Sequence, residues 1–368
     1  MIDEQQLREV LEGVRDPEIG KPIGELGLLE SVDVEGGTVR IRVFLPFPGT
    51  ERERRMGDAI QESLAGVAGI ERLVVGFQDM SDETRDQLAT ELRQTGGSST
   101  FLAEGDTEVI AVASGKGGVG KSSVTANVAA ALAAEGHRVG IMDADVYGFS
   151  IPGMMGVSGQ PVGWNDMILP LEAHGVRIMS MAFFVSDDTP IIWRGPMLHK
   201  AIQQFLGDVF WGDLDFLFVD LPPGTGDVSI SLASFIPRGS MLVVTTPQDA
   251  ARSVAERAGR MAQHPNIKLQ VLGVVENMAG FVCPHCGEVT DLFGSGGGHA
   301  AAEALGVPLL GSVPMQVSMR EGGDGGTPIV VSDPDSPAGQ AFRSIASEVA
   351  RRAKSPLGRA LKLQARSS

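Results

Sequence analysis

Cysteine is nearly missing from this chain: 368 residues contain only Cys283 and Cys286. That count excludes a disulfide scaffold, and two thiols in one Cys-x-x-Cys point instead to metal or redox chemistry. No run of about 18 apolar residues occurs, so no segment is expected to span a membrane. Basic charge is also scarce. Thirty Lys and Arg stand against 46 Asp and Glu, a net charge of −16, which argues against nucleic-acid binding through bulk electrostatics. The opening Met1-Ile-Asp-Glu-Gln is polar and acidic, unlike a secretory signal, and the expected location is the cytoplasm. Residues 351–368 are the local exception, with six basic side chains (Arg351, Arg352, Lys354, Arg359, Lys362, Arg366) and no acidic one. Pro356 interrupts any helix there, and 353–368 reads as a solvated basic tail. Hydrophobic residues make up 43% of the chain, ample for one large α/β unit and a smaller one.

The stretch Ala111 to Asn127 organises the rest. Gly115 to Ser122 fit Gly-x4-Gly-Lys-Ser, the phosphate-loop pattern. Apolar β-branched residues precede it (Val109, Ile110, Val112). Apolar residues every four positions follow it (Val124, Val128, Leu132) and stop at Gly136. The loop therefore lies between a strand and a helix, as the motif requires. Gly115, Gly117, Gly118 and Gly120 let the backbone from Gly115 through Val119 to Ser123 wrap a polyphosphate with its N–H groups inward. Lys121 is placed for the β/γ-phosphates and Ser122 for Mg²⁺. ATP and Mg²⁺ are the expected ligands.

A second lysine, Lys116, directly follows the first glycine. Gly-Lys-Gly-Gly-Val-Gly-Lys-Ser resembles the deviant Walker A motif of septum-site, plasmid-partition, nitrogenase iron-protein and cluster-carrier ATPases. The resemblance implies that Lys116 reaches the nucleotide of a partner subunit in a face-to-face homodimer.

Residues 1–80 read as a small α+β domain. It has an amphipathic helix (Leu7, Val10, Leu11, Val14) ending at Asp16-Pro17, a strand pair around Gly36-Gly37, a second helix (Met56 to Leu64) and a last strand (Ile70 to Val75). Asp16-Pro17-Glu18, Gly24-Glu25-Leu26-Gly27-Leu28 and Pro46-Phe47-Pro48-Gly49 resemble the MIP18-like domain of iron–sulfur assembly factors. Relatives often carry a cysteine just after the Pro-Gly. This chain has Thr50-Glu51, so the domain is expected to dock partners or regulate rather than hold metal. Residues 81–106 are polar and then Gly/Ser-rich, a helical arm and linker.

From 107 to 352 strands and helices alternate with the spacing of parallel β–α units, so the expected fold is α/β with a mostly parallel sheet. Strand candidates are 109–113, 139–142, 216–219, 242–245, 271–275 and 309–313. Such sheets place ligands at strand C-terminal ends. Gly294-Ser-Gly-Gly-Gly is expected to be mobile. Two carboxylates end the second strand, Asp143 and Asp145, and four apolar residues lead to Asp220, a Walker B arrangement that should hold Mg²⁺ through water. Pro222-Pro-Gly-Thr-Gly-Asp227 then forms a second switch.

Cys283-Pro-His-Cys286 leaves three readings open: a redox dithiol, a zinc site completed by His285 and His299, or half of an iron–sulfur site. Four-thiolate clusters need two such chains.

The ordered set of Lys116/Lys121, Asp143–Gly148, Asp220–Asp227, Thr246-Pro247-Gln248 and Cys283-Pro-His-Cys286 resembles the Mrp/NBP35 family of iron–sulfur cluster carrier ATPases. The family's text continues Gly-Pro-Ser where this chain has Gly148-Phe149-Ser150. The resemblance implies that Asp145 orients the attacking water, Asp143 helps near Mg²⁺, and Asn277 contacts adenine. It further implies a 4Fe-4S cluster on Cys283 and Cys286 of two subunits, a cluster assembly scaffold as donor and apo iron–sulfur proteins as recipients, with no nucleic acid or integral membrane partner. A MinD/ParA-like positioning switch is the alternative, for which the cysteines would be unnecessary. A nitrogenase-type reductase would instead have cluster cysteines far apart in sequence.

Overall fold

Along Thr38–Leu45 (β2), Val39, Ile41, Val43 and Leu45 are buried while Arg40 and Arg42 face solvent, the two-residue period of a half-covered sheet. The computed structural model describes residues 4–47, 49–96, 107–145, 148–184, 195–224, 239–248, 257, 262 and 269–353. Pro48, linker residues 97–106, Val146 and Tyr147 of the first switch, Thr225, Gly226 and Asp227 of the second, and tail residues 354–368 lie outside the described residues. Contacts group the chain into two units, Met1–Ser98 with Val162–Leu169, and Ser99–Pro161 with Pro170–Ser368.

In the first unit, α1 (Glu4–Glu12) buries Leu7 and Leu11. β1 (Leu29–Glu35) pairs antiparallel with β2 across a turn where Gly36 takes φ 60°. α2 (Thr50–Leu64) carries the chain to β3 (Arg72–Asp79), parallel to β2. The Asp-Pro-Glu turn is shaped by its own aspartate. Asp16 Oδ1 accepts the N–H groups of Glu18 (2.9 Å) and Ile19 (2.7 Å). Glu18 pairs with Arg52 at 2.5 Å. α3 (Asp82–Gly96) follows.

The second unit opens with β4 (Glu108–Ser114), α4 (Lys121–Ala134), β5 (Val139–Asp143) and the short α5 (Ile151–Met154). β6 (Val162–Trp164) and β7 (Met167–Leu169) then form a hairpin that belongs by its contacts to the first unit. Trp164 packs edge-on to Phe47 (5.0 Å), and Asn165 donates to Asp86 (2.7 Å). Next come β8 (Leu171–Ala173), β9 (Val176–Ser180), α6 (Gly195–Gly207), β10 (Phe216–Asp220), β11 (Ser240–Thr245), β12 (Gln270–Val282) and β13 (Val289–Thr290). α7 (Gly297–Leu305), β14 (Leu309–Met315), α8 (Val317–Asp324), α9 (Ile329–Ser332) and α10 (Pro337–Ala353) complete it.

The sheet order is β13-β12-β11-β4-β10-β5-β9-β8, with β14 on β12. The β8·β9 and β12·β13 pairs are antiparallel and the rest parallel. Every residue of β4, β5, β10 and β11 is buried, as in a parallel sheet covered on both faces. α4 is buried from Val124 to Leu132, and four alanines there let neighbouring elements approach closely. All six expected strands are present. The strands between 162 and 180 were not expected; three of the four have three residues, too few alternations to read.

The glycine run differs from expectation. Gly297 and Gly298 are buried in the first turn of α7. A Cβ on Gly297 would lie 2.4 Å from the Pro247 carbonyl oxygen, and one on Gly298 2.5 Å from Glu276 Cβ. Gly297 and Gly298 serve close backbone approach, whereas Gly294 and Gly296 have open space where a Cβ would go.

Candidate functional site

Because β10 pairs with β4 on one side and β5 on the other, Asp220 lies in register with Val112 and with Asp143. The C-terminal ends of these strands therefore deliver two carboxylates beside the loop that leaves β4. Within that loop Gly118 and Gly120 take φ 75° and 74°, left-handed values that suit residues without a Cβ. Gly120 precedes α4 and has no side chain to cap it, which leaves the helix's first N–H groups for a phosphate.

Asp220, fully buried, is the hub. Its Oδ2 accepts from Lys121 Nζ (2.6 Å) and Ser122 Oγ (2.6 Å), and its Oδ1 from Thr125 Oγ1 (2.8 Å). Lys121 is itself buried at 6% exposure, so this ion pair is weakly screened by solvent. The hydroxyl and carboxylate are hard oxygen donors, a set that fits Mg²⁺.

Asp143 Oδ2 accepts from Ser180 Oγ (3.0 Å) and its Oδ1 from the Asp145 N–H (3.2 Å). Burial, and then the nearby Asp220 charge, push its pKa from 3.8 up to about 7. The folded protein thus holds this proton more tightly than the unfolded chain. That contribution to stability is full below about pH 4 and is lost as pH rises through about 7. In metal-free protein, Asp143→Asn should therefore flatten the decline of the melting temperature over that window. A decline as steep as wild type's would contradict the assignment.

Lys116 Nζ donates to Gln248 Oε1 of its own chain (2.6 Å). Asn277, expected at adenine, is buried against the loop itself, its Nδ2 donating to the Val119 carbonyl (2.9 Å). The second switch is tied to the start of the loop by the Gly224 N–H to Ser114 carbonyl bond (2.9 Å).

The cysteines lie on a separate hairpin, six residues beyond Asn277 along β12. Val282 pairs with Val289, the Cys283 N–H donates to the Glu288 carbonyl (2.9 Å), and Gly287 closes the turn on the Cys283 carbonyl (2.9 Å). The N–H groups of Cys286 and His285 face the Cys283 sulfur and hold its thiol below the usual range, favouring the thiolate. Among the described residues no group of three or more His, Cys, Asp and Glu side chains forms a metal cage. Among those residues neither His285 nor His299 joins Cys283 and Cys286 in such a group.

Two family models match. One, described as NUBPL iron-transfer P-loop NTPase, covers residues 106–350, and one described as iron–sulfur cluster assembly protein covers residues 4–75. The chain belongs to the NUBPL iron-transfer P-loop NTPase family. Relatives of this NTPase called iron–sulfur cluster carrier protein include one from Mycobacterium tuberculosis, 46% identical, with 97% of this chain and 96% of that protein covered. The Bacillus subtilis protein of that name is 39% identical over 95% of this chain and 98% of its own. Among solved structures, the nucleotide-binding protein of Archaeoglobus fulgidus in complex with ADP is 36% identical with a TM-score of 0.54, covering 66% of this chain and 91% of that one.

Sequence reasoning missed two supports of the NTPase site and a clamp beyond it. Thr125 was within reach, since it lies one turn from Lys121. Ser180 and Glu276 gave no local signal: Ser180 meets Asp143 across strands, and Glu276 Oε1 accepts the Gly298 N–H (2.7 Å). Among the described residues no helix is long and apolar enough to cross a membrane.

Proposed function

We propose that this protein is a cytoplasmic, homodimeric ATPase that takes a 4Fe-4S cluster from an assembly scaffold, holds it between subunits and passes it to apo iron–sulfur proteins. The observation that carries this reading is a complete phosphate-binding constellation in the same unit as a two-thiolate half-site. Two copies bring four thiolates, the number a cubane requires. Val289 (57%), Leu292 (58%) and Phe293 (38%) are exposed on the segment beside the cysteines, apolar surface suited to burial against a second copy.

In hydrolysis the N–H groups of 115–123 cradle the phosphates, and Lys121 moves from Asp220 to the β/γ-oxygens. Ser122 would hold Mg²⁺ and Asp220 would hold it through water, with Asp143 beside them. Bound there, the metal would neutralise charge building on the phosphates. Asp145 orients the attacking water. Lys116 is held by a neutral amide oxygen, a weaker acceptor than a phosphate, so a nucleotide on the partner subunit can draw it across. A positioning switch of the same fold has no use for the cysteine hairpin.

Transfer tests the reading. Anaerobically reconstituted protein should activate an apo 4Fe-4S enzyme in the presence of a chelator that traps free iron. Protein that holds iron yet activates no acceptor under those conditions would defeat the carrier assignment.

A further inference from the structure

The cysteine hairpin is fastened at both of its ends to segments that touch the phosphate loop. At its entry, Asn277 Nδ2 donates to the Val119 carbonyl (2.9 Å), and the approach is so close that a Cβ on Gly120 would lie 2.2 Å from that nitrogen. Just beyond, Met278 takes φ 61° and Gly280 φ 82°, where the β12·β14 register breaks between Asn277 and Phe281. A non-glycine residue in the left-handed region is strained and persists where its surroundings hold it. This kink interrupts the β12·β14 pairing, which resumes at Phe281 opposite Met315 before the strand reaches Cys283.

At its exit, Glu276 grips α7: Oε1 accepts the Gly298 N–H (2.7 Å) and Oε2 accepts from Ser312 Oγ (2.9 Å). The missing side chain of Gly297 lets α7 rest on the Pro247 carbonyl, one residue from Gln248, which holds Lys116. Nineteen residues, 278 to 296, thus lie between one anchor on Val119 and another beside the Lys116 partner, with Phe281 paired to Met315 on the way.

We propose that Asn277 and Glu276 are positioning residues that couple the phosphate loop to the cysteine pair, so that nucleotide binding changes how firmly Cys283 and Cys286 hold metal. The inference rests on reading those cysteines as metal ligands. A loop that wraps a polyphosphate must aim its N–H groups inward, and the Val119 carbonyl belongs to that backbone. Loop movement therefore loads or releases the Asn277 bond, and the kinked segment transmits the change to the hairpin. Glu276 keeps the exit fixed, so movement at the entry alters the turn instead of shifting it whole.

The test measures two rates on full-length protein with and without saturating Mg-ATP, occupancy being checked by direct nucleotide binding. One is loss of iron from reconstituted protein to a chelator, and the other is alkylation of the cysteines in metal-free protein. Wild type should respond to nucleotide in both. Asn277→Ala should lose iron about threefold to tenfold faster without nucleotide, the range expected for one buried hydrogen bond, and should respond no further to Mg-ATP. Glu276→Ala, which leaves the nucleotide loop untouched, should also blunt the response. Ser312→Ala, which removes one of the two Glu276 bonds, replaces it should Glu276→Ala not fold. A wild type indifferent to nucleotide, or variants that respond as wild type does, would overturn the coupling. Undiminished iron binding by Cys283→Ala would instead defeat the metal assignment, and the alkylation rates would still judge the coupling.

Discussion

Iron is expected to vanish from the protein when either Cys283 or Cys286 is replaced by alanine. A half-site of two thiolates that loses one keeps too few ligands for a cubane even in the dimer. Wild type should carry about four irons per dimer, and either variant essentially none. Nucleotide binding should survive, because it rests on residues 115–122 and Asp220, which the hairpin does not supply. The loaded wild-type dimer should also resist dissociation better than the metal-free protein, since a ligand bound only by the dimer favours it by mass action. Sedimentation and metal analysis on one sample check both statements. One metal per chain in a clean monomer would overturn the bridging arrangement.

Lys121→Ala is expected to silence turnover and also to destabilise the fold. Turnover should drop at least about a hundredfold, as when a preorganised group facing developing charge is removed. The structural cost arises from Asp220. It is fully buried, and without the ammonium 2.6 Å away its carboxylate retains, among the described residues, the hydroxyls of Ser122 and Thr125. Removing one partner of a buried pair typically costs about 3–5 kcal/mol. Adding Asp220→Asn to Lys121→Ala should therefore recover much of the melting temperature and none of the activity. Thermal unfolding and phosphate release decide the matter. If Lys121→Ala melts and turns over like wild type, neither role is right.

Much of this site was legible because its parts are contiguous. The phosphate loop is eight consecutive residues whose glycines answer to local backbone geometry, and Gly118 and Gly120 do take left-handed angles. The strands that flank it announce themselves as β-branched apolar runs because both faces of a parallel sheet are buried. Cysteine count and spacing needed no fold at all: two thiols three positions apart exclude a disulfide scaffold and point to metal or redox chemistry.

Tertiary structure alone decided which distant groups meet. Asp220 reaches Lys121 across 99 residues, Gln248 reaches Lys116 across 132, and Asn277 reaches Val119 across 158. Those encounters follow from the order β12-β11-β4-β10-β5 and its register, and a local period carries no information about strand order. The glycines of α7 show the same division. Read alone, Gly294-Ser-Gly-Gly-Gly looks like slack chain, because glycine permits motion. In the fold, Gly297 and Gly298 lack side chains because the Pro247 carbonyl and Glu276 stand where a Cβ would go. Glycine specifies the absence of a side chain, and only the neighbours determine whether that absence yields freedom or contact.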